Sequence, residues 1–230
     1  MNNFQIVNAD TDSISFCKED QSEFSDIEKQ YLIGNINELS PDFMEWSDDG
    51  YYKKVIVLKA KNYILYDPKA KKDVIKIKGS ALKSSKTEPA LKEFLKDIIN
   101  EIIIDQTLFK IVYEKYVAEI LNLKDISRWA TKKTITSKVL EGTRLNETKV
   151  VEAIKGTDYS EGDKIYLYYD KKDNLKKVEN YNDDHNIKRL LKRLYDTSKI
   201  FDNIILKGTF KNYSLVKNMK ELGLWVIFYY

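Results

Sequence analysis

The sequence predicts an α+β fold: an antiparallel, strand-rich first part, followed by a mainly helical part that holds a small β element. Three observations predict it. Strand-like apolar runs occupy 4–16 and 55–79, apolar residues recur at helical spacing from residue 91 onward, and Ile165-Tyr166-Leu167-Tyr168-Tyr169 interrupts the helices as a run of β-formers. The chain has 230 residues, 43% of them hydrophobic, enough for one large domain or two small ones. Only eight Gly and three Pro argue against a repeat or low-complexity chain.

The first element carries the most chemistry. Asn8-Ala9-Asp10-Thr11-Asp12-Ser13-Ile14 places two carboxylates one residue apart, after apolar Phe4, Ile6 and Val7 and before Ile14 and Phe16. Strand side chains alternate, so positions i and i+2 share a face about 6.5 Å apart, and a turn at Asp10-Thr11 brings the acids closer. Hard cations such as Mg²⁺ take oxygen ligands from carboxylates, phosphates and water, which makes Asp10 and Asp12 candidate metal ligands. Asp-Thr-Asp is also an ordinary turn sequence, because Asp bonds its own backbone two residues on. Two-metal phosphoryl transfer needs further carboxylates. Only nine residues precede Asp10, so the chain is expected to be the second half of an enzyme.

Charge is unevenly distributed. Residues 1–50 hold twelve Asp or Glu against two Lys, and residues 53–92 hold twelve Lys against three acids. An acidic, metal-binding stretch followed by a basic one suits phosphate chemistry on a polyanion. Within the basic block, 55–66 reads as one strand, Asp67-Pro68 as a turn and 74–79 as the antiparallel return. Lys76 and Lys78 are expected on one face of that return, Ile75 and Ile77 on the other.

The helical part begins at Thr87-Glu88-Pro89, with a capping hydroxyl and Pro in the first turn. Leu91, Phe94, Leu95, Ile98, Ile99, Ile102 and Ile103 predict a helix to about residue 105. A second is predicted over 108–121, with Ile111, Val112, Tyr116 and Ile120 as its apolar stripe. The segment 126–136 mixes Arg128, Lys132 and Lys133 with four hydroxyls and Trp129. Such donors position a duplex through its phosphates, and a solvated strand or loop is the plainer reading. A short helix over 148–154 closes at Gly156, and 184–206 reads as a long helix. On that helix Lys188, Arg189, Lys192 and Arg193 share one side and are expected to be solvated. His185, the only histidine, is expected on the surface, and the lone Cys17 in the core without a disulfide. No 18-residue apolar run or signal peptide occurs, so a soluble, intracellular protein with no membrane partner is expected.

Taken together, Asp10-Thr11-Asp12-Ser13, then Lys59-Ala60-Lys61-Asn62-Tyr63, then Lys76-Ile77-Lys78-Gly79 resemble, in order and spacing, the C-terminal palm of a family B DNA polymerase. The stretch 80–89 is similar to the palm-to-thumb junction of viral members, and Arg144-Leu145-Asn146 and Tyr159-Ser160-Glu161-Gly162-Asp163-Lys164 resemble the thumb. Asn8-Ala9 stands where the family has Tyr-Gly, and Ala60 and Asn62 stand in place of a Lys and an Arg. The resemblance implies a palm portion over 1–87 and a thumb over 88–230. It further implies that Asp12 ligates two Mg²⁺ ions beside a supporting Asp10, and that Lys61 and Tyr63 hold the primer terminus. Lys76, Lys78, Gly79, Arg128, Lys132, Lys133 and Arg144 are implied to contact primer-template DNA. A deoxynucleoside triphosphate is the implied substrate.

The family's triphosphate-binding helix, second metal Asp and exonuclease lie upstream of Asp-Thr-Asp-Ser. The chain is therefore expected to be inactive alone and to need an N-terminal polymerase half, as a separate chain or as part of a longer one. For a viral protein the expected location is the host compartment of replication, the cytoplasm. The apolar end, 224–230, loosely resembles a peptide that docks on a sliding clamp. A non-catalytic subunit clamping duplex DNA is the second reading. A glycosyltransferase, which also uses Asp-x-Asp, would need a nucleotide-binding βα unit ahead of the pair.

Overall fold

A computed structural model describes residues 4–72, 74–83, 87–142 and 144–216; the end segment 224–230 lies outside them. The chain divides into two compact units, Met1–Ser80 and Ala81–Tyr230. Mixed α+β content with small antiparallel sheets is observed, as the sequence predicts.

In the first unit, β1 (Phe4–Asp10) and β2 (Ser13–Lys18) form a two-stranded antiparallel sheet. The register steps from Ile6↔Phe16 to Asn8↔Ser15, so Val7 is an extra, bulged residue. A bulge kinks and re-aims the strand beyond it. Helix α1 (Asp26–Glu38) follows, a helix the reading by motif missed. Its signal is Ser25-x-x-Glu28: the Ser25 hydroxyl accepts from the Glu28 amide while the Glu28 carboxylate accepts from the Ser25 amide at 2.8 Å. Lys18 Nζ donates to the same carboxylate at 2.8 Å and ties the end of β2 to the helix. Lys18, with Ser25 behind it, holds the Glu28 carboxyl down at about 2.

The second sheet corrects one expectation. Residues 55–66 are not one strand but a hairpin, β3 (Lys54–Lys59) and β4 (Asn62–Tyr66), with β5 (Ile75–Lys78) antiparallel to β4 in the order β3-β4-β5. No Gly or Pro marks the turn. Lys61 takes the left-handed conformation (φ +59°) instead, and the register shift leaves Leu58 bulged just before the tip. Gly79 explains how the turn is held. A Cβ there would lie 2.3 Å from Asn62 Oδ1 and 2.4 Å from the Lys61 carbonyl oxygen, and its φ is +106°. Only glycine allows that approach. Along β5, Ile75 and Ile77 are half-buried while Lys76 and Lys78 are exposed, the expected alternation.

The second unit begins within the short helix α2 (Ser80–Lys83) and is built on three packed helices, α3 (Pro89–Ile103), α4 (Phe109–Leu121) and a later helix over Ile187–Ser198. Helix α3 buries Leu91, Phe94, Leu95, Ile98 and Ile99 in the predicted phase. Phe94 meets Tyr113, Tyr116 and Phe210 at ring distances of 6.0, 5.4 and 6.3 Å. Strand β6 (Thr131–Thr134), helices α5 (Ser137–Glu141) and α6 (Leu145–Ile154), and strands β7 (Lys164–Tyr169) and β8 (Leu175–Lys177) follow. The sheet order is β6-β7-β8, and Ile135, Val139, Val150, Ile154, Ile165 and Leu167 make its core.

The Ile187–Ser198 helix, α7, is shorter than the predicted 184–206. Its start is set by Asn186, whose side chain caps the Arg189 amide, and its end passes into a single 3₁₀ turn over Lys199–Phe201 that buries Phe201. His185 lies outside the helix and pairs with Asp170 in an isolated bridge. It is 5% exposed, not on the surface. Its Nε2 faces the Ile120 carbonyl at 3.1 Å and its Nδ1 the Tyr181 hydroxyl at 3.0 Å. A nitrogen facing a carbonyl must carry the proton, so Nε2–H donates to Ile120, while the Tyr181 hydroxyl beside Nδ1 also donates to the Leu123 carbonyl at 3.1 Å.

The basic face of α7 is only partly solvated: Lys188 and Lys192 are exposed, as expected, whereas Arg193 and Arg189 are held against other elements. The Arg193 guanidinium grips Glu88 with two bonds, at 3.0 and 2.6 Å, where Glu88 is 5% exposed at the start of α3. Arg189 lies 3.5 Å over the Tyr169 ring and pairs with Asp173, and Lys192 pairs with Asp196.

Three outcomes follow from this packing. Arg193→Ala should cost about 2 kcal/mol in urea unfolding, less than a fully buried pair because half of the Arg193 side chain is exposed, and Glu88→Leu with Arg193→Met should recover most of the loss. Gly79→Ala should cost about 3 kcal/mol, whereas Gly50→Ala, also at positive φ (+120°) but with open space around its Cβ, should cost about 1 kcal/mol. Burial holds the His185 imidazole below its ordinary 6.5, so as pH falls the unfolded chain takes up the proton first. Its contribution is complete above pH 6.5 and is lost as pH falls towards the folded value. Denaturant melts at pH 7.5 and 5.5 should show lower stability at the acid end, and His185→Gln should flatten that difference.

Candidate metal and nucleic-acid site

The ladder places Asp10 opposite Ser13, so Thr11 and Asp12 form the tip of the first hairpin. The turn lies one residue later than the spacing suggests, because Asp10 is still paired. The Asp12 amide donates to the Asp10 carbonyl at 2.6 Å, closing a three-residue turn on Thr11, whose φ is +46°. A β-branched residue rarely adopts that conformation, at a cost of about 1–3 kcal/mol. The Thr11 hydroxyl donates to Asp10 Oδ1 at 3.1 Å and the Ser13 hydroxyl to the Asp10 carbonyl at 3.2 Å. Asp10 is half-buried and already accepts a bond, while the Asp12 carboxylate is exposed at the tip. Two oxygen-donor side chains on a rigid turn suit a hard cation. Among the described residues no group of three or more His, Cys, Asp or Glu is placed to hold a metal ion. The pair alone is thus an incomplete donor set.

The second hairpin has the same plan: a bulge, then a tip with a residue in the left-handed region. Lys61 is exposed there, held by the Gly79 approach and by Asn62, whose Nδ2 donates to the Ala60 carbonyl at 2.9 Å. Tyr63 behaves differently. It is 8% exposed and pairs with Val57 and Lys78, so its ring belongs to the core of the sheet. Lys78 is exposed on the outer face of β5. Lys76 donates to the Tyr52 hydroxyl at 2.9 Å and lies 5.2 Å over that ring. Tyr52 was not read from sequence as part of this basic face, and no local motif marks it.

In the second unit the cations of 126–136 separate. Arg128 is committed to Glu93 and Glu119, and Trp129 is buried with its indole N–H on Glu119 at 2.9 Å. Lys132 and Lys133 alternate on β6, the first exposed and the second half-buried. Arg144 is exposed at the start of α6, where its amide donates to Glu147 at 3.0 Å. The structure brings Lys61, Lys78 and Gly79 together in one sheet and leaves Arg128, the β6 lysines and Arg144 as separate basic points. A cavity of about 270 Å³ lies between α7 and the sheet, lined by Trp129, Thr131, Tyr169, Asn186, Arg189 and Arg193. Among the described residues no helix is long and apolar enough to cross a membrane.

No protein-family model matches the chain, and no curated protein matches it in sequence. Among solved structures it is similar to the family B DNA polymerase of the hyperthermophilic archaeon Pyrobaculum calidifontis, with a TM-score of 0.64 at 13% identity over 88% of this chain. The chain spans 27% of the length of that polymerase. At this identity the likeness is one of fold: the chain folds like part of a family B DNA polymerase.

Proposed function

We propose that the chain is the C-terminal palm and thumb portion of a family B DNA polymerase, serving template-directed nucleotidyl transfer to a primer 3′ end. The observation that carries this reading is the Asp10-Thr11-Asp12 tip, a strained turn with an exposed carboxylate, in a chain whose fold is similar to a family B polymerase over most of its length. Asp12 would be the direct ligand of two Mg²⁺ ions and Asp10 its support. Bound there, the ions would supply activation of the primer hydroxyl and charge neutralisation of the triphosphate. The remaining carboxylate and the triphosphate-binding groups must come from the rest of the palm, on this polypeptide or another.

The chain's own residues have nearer tasks. Thr11 fixes the direction of Asp10, and the left-handed turn at Lys61 presents an ammonium for the primer backbone. Lys78 extends that positive face, with Gly79 holding the Lys61 turn in place. Lys132, Lys133 and Arg144 are the exposed or half-exposed cations offered to duplex phosphates in the thumb, whereas Arg128 would have to leave two acids to join them. Tyr63 acts from the core, by fixing the strand behind Lys61. A clamp-docking role for 224–230 remains part of the proposal.

The second reading, a duplex-binding subunit without catalysis, draws on the same cations and is separated by activity. Asp12→Ala in the assembled enzyme should lower primer extension at least a thousandfold with Mg²⁺ and leave DNA affinity within about threefold. Full extension by Asp12→Ala would remove the metal assignment, and no extension by the unaltered assembly would favour the binding-only reading.

A further inference from the structure

The first unit presents an apolar surface that its own residues do not cover. Before Leu58 none of its described residues is buried, and α1 buries none. Past the end of α1, Leu39 is 89% exposed and Phe43 88%, with Met44 beside them. This segment is pinned. Asn37 Nδ2 donates to the Trp46 carbonyl at 3.0 Å while the Trp46 amide donates to Asn37 Oδ1 at 2.6 Å. Trp46 Nε1 donates to the Ser40 hydroxyl at 2.9 Å, and that hydroxyl donates to the Ile36 carbonyl at 2.8 Å. Side chains as large as Leu and Phe held out on an ordered loop mark an interaction site more than a chance exposure.

Charge restricts the occupant. Residues 30–52 contain no Lys or Arg and five acids, Glu38, Asp42, Glu45, Asp48 and Asp49. So acidic a stretch repels a nucleic-acid backbone. It also opposes a second copy docked through the same patch, because a two-fold interface would set like charges face to face. The fitting occupant is a polypeptide surface with an apolar pocket and a Lys/Arg rim.

We infer that the Leu39–Phe43–Met44 loop is the docking surface for the rest of the polymerase palm, seated in an apolar pocket with a basic rim. This rests on the polymerase reading above. It adds the attachment point: the segment that joins the hairpin of Asp10 and Asp12 to the groups that complete its site. An isolated two-stranded hairpin is marginal in water; here Lys18 ties it to α1, and α1 leads directly into the proposed docking loop.

The test uses the intact native protein with p-benzoyl-phenylalanine in place of Phe43, irradiated and mapped by mass spectrometry, beside Phe43→Asp and Asp42→Lys/Glu45→Lys variants assayed for primer extension. Because Phe43 is so exposed, Phe43→Asp should keep the melting temperature within about a degree. The inference expects a crosslink to an apolar, Lys/Arg-flanked peptide of the remaining palm, and at least a tenfold loss of extension in each variant. A crosslink to DNA or to a second copy overturns it, as does unchanged extension by Phe43→Asp. In those cases an unaltered protein that still extends primers leaves the polymerase reading standing. A crosslinked partner in an assembly without polymerase activity overturns both.

Discussion

A carboxylate removed from water at the start of α3 governs how the second unit is put together. Glu88 is almost fully buried, and a lone buried charge costs several kcal/mol, so its position is tolerable only where a cation reaches it. Arg193 does so with two bonds from α7, 105 residues away in sequence. The pair therefore fixes the first turn of α3 against α7. Arg189, four residues earlier on the same helix, then lies 3.5 Å over the Tyr169 ring at the end of β7, which carries the constraint from the helices into the sheet. His185 closes the other side by bridging Tyr181 to the Ile120 carbonyl at the end of α4. Polar links of this kind specify one packing of helices whose apolar stripes alone would accept several.

The first unit follows a different logic. Its two hairpins share a plan in which a bulge precedes a tip and a non-glycine residue there takes positive φ, Thr11 in one and Lys61 in the other. Backbone strain of this sort persists only where neighbours impose it. At Lys61 the neighbour is Gly79, pressed onto the turn; at Thr11 it is the pairing of Asp10 with Ser13 and the hydroxyl bond to Asp10. The residues with the clearest chemistry, one carboxylate and one ammonium, thus sit at the most constrained points of a unit with little core of its own.

Much of this was legible in the sequence. Helical spacing located α3 and α4 within a residue or two, Gly162-Asp163-Lys164 marked the entry to β7, and the i, i+2 pattern assigned the faces of β5. Asp10 and Asp12 stood out by type and spacing, though the turn falls one residue later. The hairpin within 55–66 was not legible, because its turn uses Lys61 in the left-handed region without a Gly or Pro to mark it. Helix α1 is not among the predicted elements, although Ser25-x-x-Glu28 marks its start. The end of the predicted helix over 184–206 was not legible, because the chain is drawn into a 3₁₀ turn by burial of Phe201.

By itself, then, the sequence determined the α+β class, the place of the main helices α3 and α4, the paired aspartates and the split between acidic and basic stretches. These depend on propensity, periodicity and charge, which act over a few residues. Only the tertiary structure decided that Arg193 holds Glu88, that His185 and Trp129 are buried, that Arg128 is taken up by Glu93 and Glu119, and that Phe43 is left in solvent. Each of these is a contact, or the lack of one, between residues far apart in the chain. Short-range patterns carry no information about which of many equivalent side chains will meet there.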